Sequence, residues 1–145
     1  MIRRLVAVAL ASLALAACGS VSPGTALSRW STSSALPSAI SQLTLDARHA
    51  LSALETPSMT SAQLHTVCAV LDFETLQANA SLPTPDGQTT NLLSSAYTDL
   101  GSGANECYDA GHSTAKRTRA VDFLHHAGAE LAEARARVAA VTAKS

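Results

Sequence analysis

Aromatic side chains are scarce in this chain: its 145 residues include one Trp, two Tyr and two Phe. Large rings cannot fill its core, which must be assembled from Leu, Val and Ala. Charge is also sparse, at 14% of residues, and forms no basic stripe. Nucleic acid is therefore not an expected partner. The N-terminal apolar core, Leu5 to Leu15, is too short to span a bilayer as a mature anchor. Serines are numerous, yet there is no Gly-x-Ser-x-Gly elbow, no phosphate-binding glycine loop and no Cys-x-x-Cys pair. Gly101-x-Gly103 lies late in a helical pattern, not between a strand and a helix. No catalytic motif is left, so neither an enzyme nor a cofactor is expected.

What the chain does have begins at its N-terminus. Arg3 and Arg4 precede the Leu5 to Leu15 run, and small residues then lead to Leu15-Ala16-Ala17-Cys18. That order describes a secretory signal peptide. Its ending resembles the lipobox of bacterial lipoproteins, a resemblance confined to this segment. It implies that Cys18 receives a diacylglyceryl group and becomes the first mature residue. Residues 1–17 would then be a cleaved signal peptide, and the protein would sit on the extracytoplasmic face of a cell membrane. Two acyl chains anchor stably, because each buried methylene contributes roughly 0.8 kcal/mol. Processing would remove two of the ten basic residues, leaving eight against eleven acidic ones, so the formal charge would move from −1 to −3.

Residues 18–34 are rich in Ser, Thr, Gly and Pro, without a sustained period. They read as a flexible tether of about 20–24 Å r.m.s. span. Within them Trp30 is expected to pack on the first helix rather than dip into the lipid interface. Residues 35–145 read as one small helical domain. Alanine, the best helix former, occurs 29 times in the chain.

Four helices are expected. In the first, Ser34 to Leu54, an apolar stripe runs through Leu36, Ile40, Leu43, Ala47, Ala50 and Leu54, with Pro37 tolerated in the first turn. The second opens on a capping box, Thr60 and Gln63, with Met59 and Leu64 placed as a hydrophobic staple. It carries Leu64, Val67, Cys68 and Leu71 on one face. Val70, Phe73 and Leu76 form another apolar stripe on roughly the opposite face, and a helix apolar on two sides is usually buried on two sides. Ser81 to Gly87 breaks the pattern.

The third helix, Thr89 to Ala110, aligns Leu93, Ala96, Leu100, Gly103, Ala104 and Cys107. Gly101 and Gly103 each cost it about 1 kcal/mol of helix propensity; close helix approach would explain Gly103, and a break is the alternative. The fourth, Thr114 to Thr142, follows a Ser113 cap and aligns Ala120, Leu124, Ala127, Leu131, Ala134, Val138 and Val141. Glu133 and Arg137 are spaced for an i,i+4 pair. Lys116, Arg117 and Arg119 sit at the wrong end for the helix dipole, which suggests a surface for anionic lipid heads.

With Cys18 lipidated, Cys68 and Cys107 remain as a pair in an oxidising setting. Their midpoint, 87.5, falls in the Pro85-Asp86-Gly87 loop, so two helices folded back there would bring them level. A structural disulfide is expected. Asp46-x-x-His49 and Asp122-x-x-His125 loosely resemble the Glu-x-x-His pairs of di-metal helical bundles. However, the acids are Asp, and helical geometry sets all four outside the apolar stripes. They read as solvated surface residues, and no metal site is expected. His126 also faces away from its stripe, and His65 and His112 have no ligand-spaced partner.

Leu82-Pro83-Thr84-Pro85-Asp86, Ala96-Tyr97, Leu100 and Cys107, followed by an Ala-rich amphipathic helix, resemble the small helical lipoproteins and secreted proteins common in actinobacteria. The resemblance implies location and fold, and it carries over no functional residue. The expected architecture is an all-α, antiparallel four-helix bundle after a signal peptide and tether. The leading expectation is a non-enzymatic interaction module that docks an envelope protein through Val70, Phe73 and Leu76. Alternatives are a carrier for a lipid or other apolar small molecule, and a purely structural envelope protein. Substituting Cys18→Ala should move the protein from the membrane to the soluble fraction; a variant that stays in the membrane would refute the lipid anchor.

Overall fold

A computed structural model describes residues 21–144, and Cys18 with the expected cleavage site lies outside the described residues. The described chain is all-helical, with α1 Pro23–Ser33, α2 Leu36–Glu55, α3 Ser61–Asn79, α4 Gly87–Tyr108 and α5 Thr114–Thr142. Among the described residues, no helix is long and apolar enough to cross a membrane. The last four helices fall where the apolar stripes put them.

The first helix corrects the expected tether. Ser22 caps it by accepting from the Thr25 amide at 3.2 Å, and Pro23 occupies a first-turn position. Gly24, Leu27 and Ser31, at spacings of three and four, turn inward. These are mostly small residues, so their stripe carries little hydrophobic signal; burial against α5 and α2 makes the segment a helix. Trp30 packs against the core, as expected, and its indole N–H donates to the Ser81 carbonyl at 3.3 Å. Ala35, with φ +50°, turns the chain between α1 and α2.

Each stripe supplies the core. Leu36, Ile40, Leu43, Leu64, Leu71, Leu93, Leu100, Leu124 and Leu131 are all buried, and alanines fill the space between them. The capping box of α3 is complete: the Gln63 amide donates to Thr60 Oγ1 at 3.3 Å and the Thr60 amide donates to Gln63 Oε1 at 3.0 Å. Ser113 caps α5 as expected. Cys68 and Cys107, both fully buried, form a disulfide with Cα atoms 5.8 Å apart. It joins α3 to α4 and, on a chain-entropy view, contributes about 4 kcal/mol.

The most extensive packing is between α4 and α5. A β-carbon on Gly103 would stand 2.7 Å from Leu124 Cδ2 and 3.3 Å from Phe123 Cβ. Close approach is therefore the reason for Gly103, and α4 runs through it unbroken. At Gly101 a β-carbon would meet nothing within 4 Å.

Polar side chains depart from several expectations. Arg137 does not serve Glu133. Its Nε donates to Asp86 Oδ2 at 3.1 Å and its Nη2 to Asp86 Oδ1 at 2.9 Å. Asp86 also caps α4, accepting from the Thr89 amide at 2.9 Å and the Thr89 hydroxyl at 2.7 Å. One carboxylate thus ties the start of α4 to the far half of α5. Arg137 first and Thr89 second hold the Asp86 carboxyl far below the usual carboxylate range.

Lys116, Arg117 and Arg119 each have a partner within the fold. Arg117 donates to the carbonyls of Gly111 and Leu54, the latter in the last turn of α2. Lys116 pairs with Asp109 at 3.2 Å and Arg119 with Glu106 at 2.9 Å. The two ion pairs tie the start of α5 to the end of α4, and Arg117 satisfies a carbonyl at the end of α2 and one in the turn between α4 and α5.

Gly101→Ala should stabilise the protein by about 0.5–1 kcal/mol, and Gly103→Ala should destabilise it by about 1–3 kcal/mol in urea unfolding. Stabilisation by both would remove the close approach as the reason for Gly103. Asp86→Asn keeps a capping side chain but loses the charge, and should cost about 1.5–3 kcal/mol at pH 7. A carboxyl lowered in the folded state gives stability that is complete above its unfolded pKa of about 3.9 and is lost as pH falls toward the folded value. The gap between wild type and variant should therefore be flat at neutral pH and narrow below about pH 4.

Candidate functional site

The two faces of α3 have different fates. Leu64, Cys68, Leu71 and Thr75, spaced by four, three and four residues, are buried. Val70, Phe73 and Leu76 are 47%, 56% and 62% exposed, so the expectation of burial on both sides is not met. The disulfide and the inner stripe dock α3 by one side only, against α4 and α2. Among the described residues nothing covers the outer side.

Scattered exposed apolar residues are ordinary, whereas contiguous ones are not. The other large apolar side chains exposed among the described residues, Val21, Leu45 and Tyr108, lie on separate elements. Tyr108 stacks on His65 at 4.1 Å between ring centroids, which gives that ring a partner. On α3, Ala69 is exposed with Val70, Phe73 and Leu76, and spacings of three and four residues from Phe73 make them one continuous strip. Its aromatic member stands near the middle.

Two clefts run beside α3. One of about 190 Å³ lies between Leu36, Leu43, Ala78 and Tyr97, and one of about 100 Å³ lies between Thr75, Leu76, Tyr97 and Gly101. Tyr97 lines both; burial pushes its hydroxyl up to about 12.

The carboxylate and histidine pairs singled out by sequence do not converge. Asp46 is buried, which corrects its expected surface position: it lies three residues after Leu43 on a stripe broader than its hydrophobic members suggest. Its carboxylate accepts from Gln42 Nε2 at 3.0 Å. His49 is exposed, and Asp122 and His125 are exposed on different grooves. His125 borders a groove of about 350 Å³ floored by Leu100, Leu124 and Leu131, with Arg48 on its rim.

A different constellation does form. Asp99 on α4 accepts a close hydrogen bond from His126 on α5, and Glu130 lies one turn beyond His126. The sequence signal was the i,i+4 spacing of His126 and Glu130; Asp99 joins them only through the α4–α5 packing. Asp99 first and Glu130 second raise the His126 pKa above its ordinary value.

The chain matches no protein-family model, and no curated protein and no solved structure is significantly similar to it. Its own geometry therefore has to carry the functional reading.

Phe73 makes no use of the core, so Phe73→Asp should leave unfolding stability within about 0.5 kcal/mol of wild type. A loss of several kcal/mol would mean that Phe73 holds the fold together.

Proposed function

We propose that this protein is a non-enzymatic interaction module, tethered to the extracytoplasmic face of a cell membrane through a lipid on Cys18, that docks an envelope protein partner. The observation that carries it is the exposed strip Val70, Phe73 and Leu76 on α3. The scaffold behind the strip is read as an antiparallel four-helix bundle of α2 to α5, braced by α1 and pinned by the Cys68–Cys107 bond. A rigid helix whose inner face is fixed presents its outer face without an ordering cost, which favours the helix-on-groove mode of recognition. An aromatic anchor flanked by aliphatic neighbours suits the centre of such an interface.

A second reading, a carrier for a lipid or other apolar small molecule, draws support from the 350 Å³ groove. Its volume lies at the lower end of ligand-sized cavities, and its floor is apolar.

One experiment separates the two. A photo-crosslinking residue placed at Ala69, beside the strip, should give a discrete protein adduct on intact cells. Phe73→Asp in the same chain should abolish that adduct while the circular dichroism spectrum stays helical. An adduct that survives in the folded variant would rule out the strip as the interface. A small molecule released from membrane-extracted protein on denaturation, seen by intact mass, would favour the carrier.

A further inference from the structure

We propose that Asp99, His126 and Glu130 form a binding site for a single divalent transition cation of the Zn²⁺ class, bridging α4 and α5. One donor atom from each residue lies within 4.8 Å of the other two. Ligands bonded at about 2.1 Å around a tetrahedral ion stand about 3.4 Å apart, so small side-chain rotations close the set. His126 and Glu130 are separated by four residues on α5 and project from the same side of it. The third donor comes from another helix, so the site exists only in the folded chain.

An independent observation points to a missing partner. Glu130 is partly buried, and its Oε2 atom is occluded from solvent with no hydrogen-bond partner among the described residues. Leaving a buried carboxylate oxygen unmatched is costly, and native structures rarely do so. A cation held beside the Glu130 carboxylate would supply the group with a partner that the described residues do not. The donors also suit a particular class of ion. Two carboxylates balance a divalent charge, and the imidazole favours Zn²⁺-like ions over Mg²⁺ or Ca²⁺.

The surroundings permit entry and hold the donors still. The His126 side chain is 66% exposed and borders an open groove of about 420 Å³, leaving room for solvent in the fourth position. Arg119 lines the same groove, but its guanidinium is engaged by both oxygens of Glu106. Asp99 lies four residues before Gly103, and His126 two residues after Leu124, which meet closely across the helices. The donors are thus carried by helix segments in close contact.

The test uses the full-length protein in detergent micelles, stripped with chelator and titrated calorimetrically with ZnCl₂. Wild type should take up one equivalent. His126→Ala and Glu130→Gln should each weaken binding by roughly tenfold or more, and His49→Ala should leave it unchanged. Glu130→Gln preserves side-chain shape, so it keeps the test decisive should the His126 variant fold poorly. Zn²⁺ should also raise the thermal midpoint of wild type and not that of Glu130→Gln. The proposal is overturned if wild type shows no saturable uptake, or if both variants bind like wild type. Equal affinity for Mg²⁺ would overturn the assigned class.

Discussion

The structure depends on how closely α4 and α5 approach. Gly103 faces Leu124 with no room for a β-carbon, and Ala96, Ala104, Ala120 and Ala127 are fully or almost fully buried along the same two helices. A chain with so few rings cannot separate its helices with bulky side chains, so it gains dispersion contact by bringing backbones together. That choice fixes the spacing and register of two helices, and other features are set from it. Asp86 and Arg137 tie the pair at one end, while Arg117 and the Lys116 and Arg119 ion pairs close the turn at the other. The disulfide then holds α3 to the outside of α4.

Much of this was legible from residues alone. A helical stripe is a local property, so Leu36 to Leu54, Leu93 to Cys107 and Ala120 to Ala134 could be assigned from spacing, and each proved buried. Caps are local too, which is why Thr60, Gln63 and Ser113 behave as expected. The disulfide was accessible for another reason: two cysteines equidistant from a loop meet if the chain folds back there.

What escaped the sequence was set by partners far along the chain. The helix at Pro23–Ser33 buries Gly24, Leu27 and Ser31, which have too little hydrophobic contrast to reveal a period. Its Ser22-Pro23 start was a usable signal, outweighed by the Ser- and Thr-rich composition. Asp46 lies on the core side of α2 because a helix stripe spans both i+3 and i+4 positions, and Gln42 satisfies its charge locally. Arg137 had two acids to choose from. The bidentate, half-buried site at Asp86 outcompetes an exposed i,i+4 pair worth only a few tenths of a kcal/mol. The two-sided polarity of α3 announced an unusual helix without saying whether its outer side was core or surface.

The strip on α3 and the cluster between α4 and α5 rest on different physics. An exposed apolar strip is unfavourable in water, and a partner would relieve it through desolvation, whatever the pH. The carboxylates and imidazole gather at a polar edge, where a cation would act through charge and would compete with protons. Neither draws on the side chains of the other, and they lie on different helices. Loss of one function therefore need not affect the other. A protein with both would offer a partner a constant apolar surface beside a metal-dependent lock on its two most tightly packed helices.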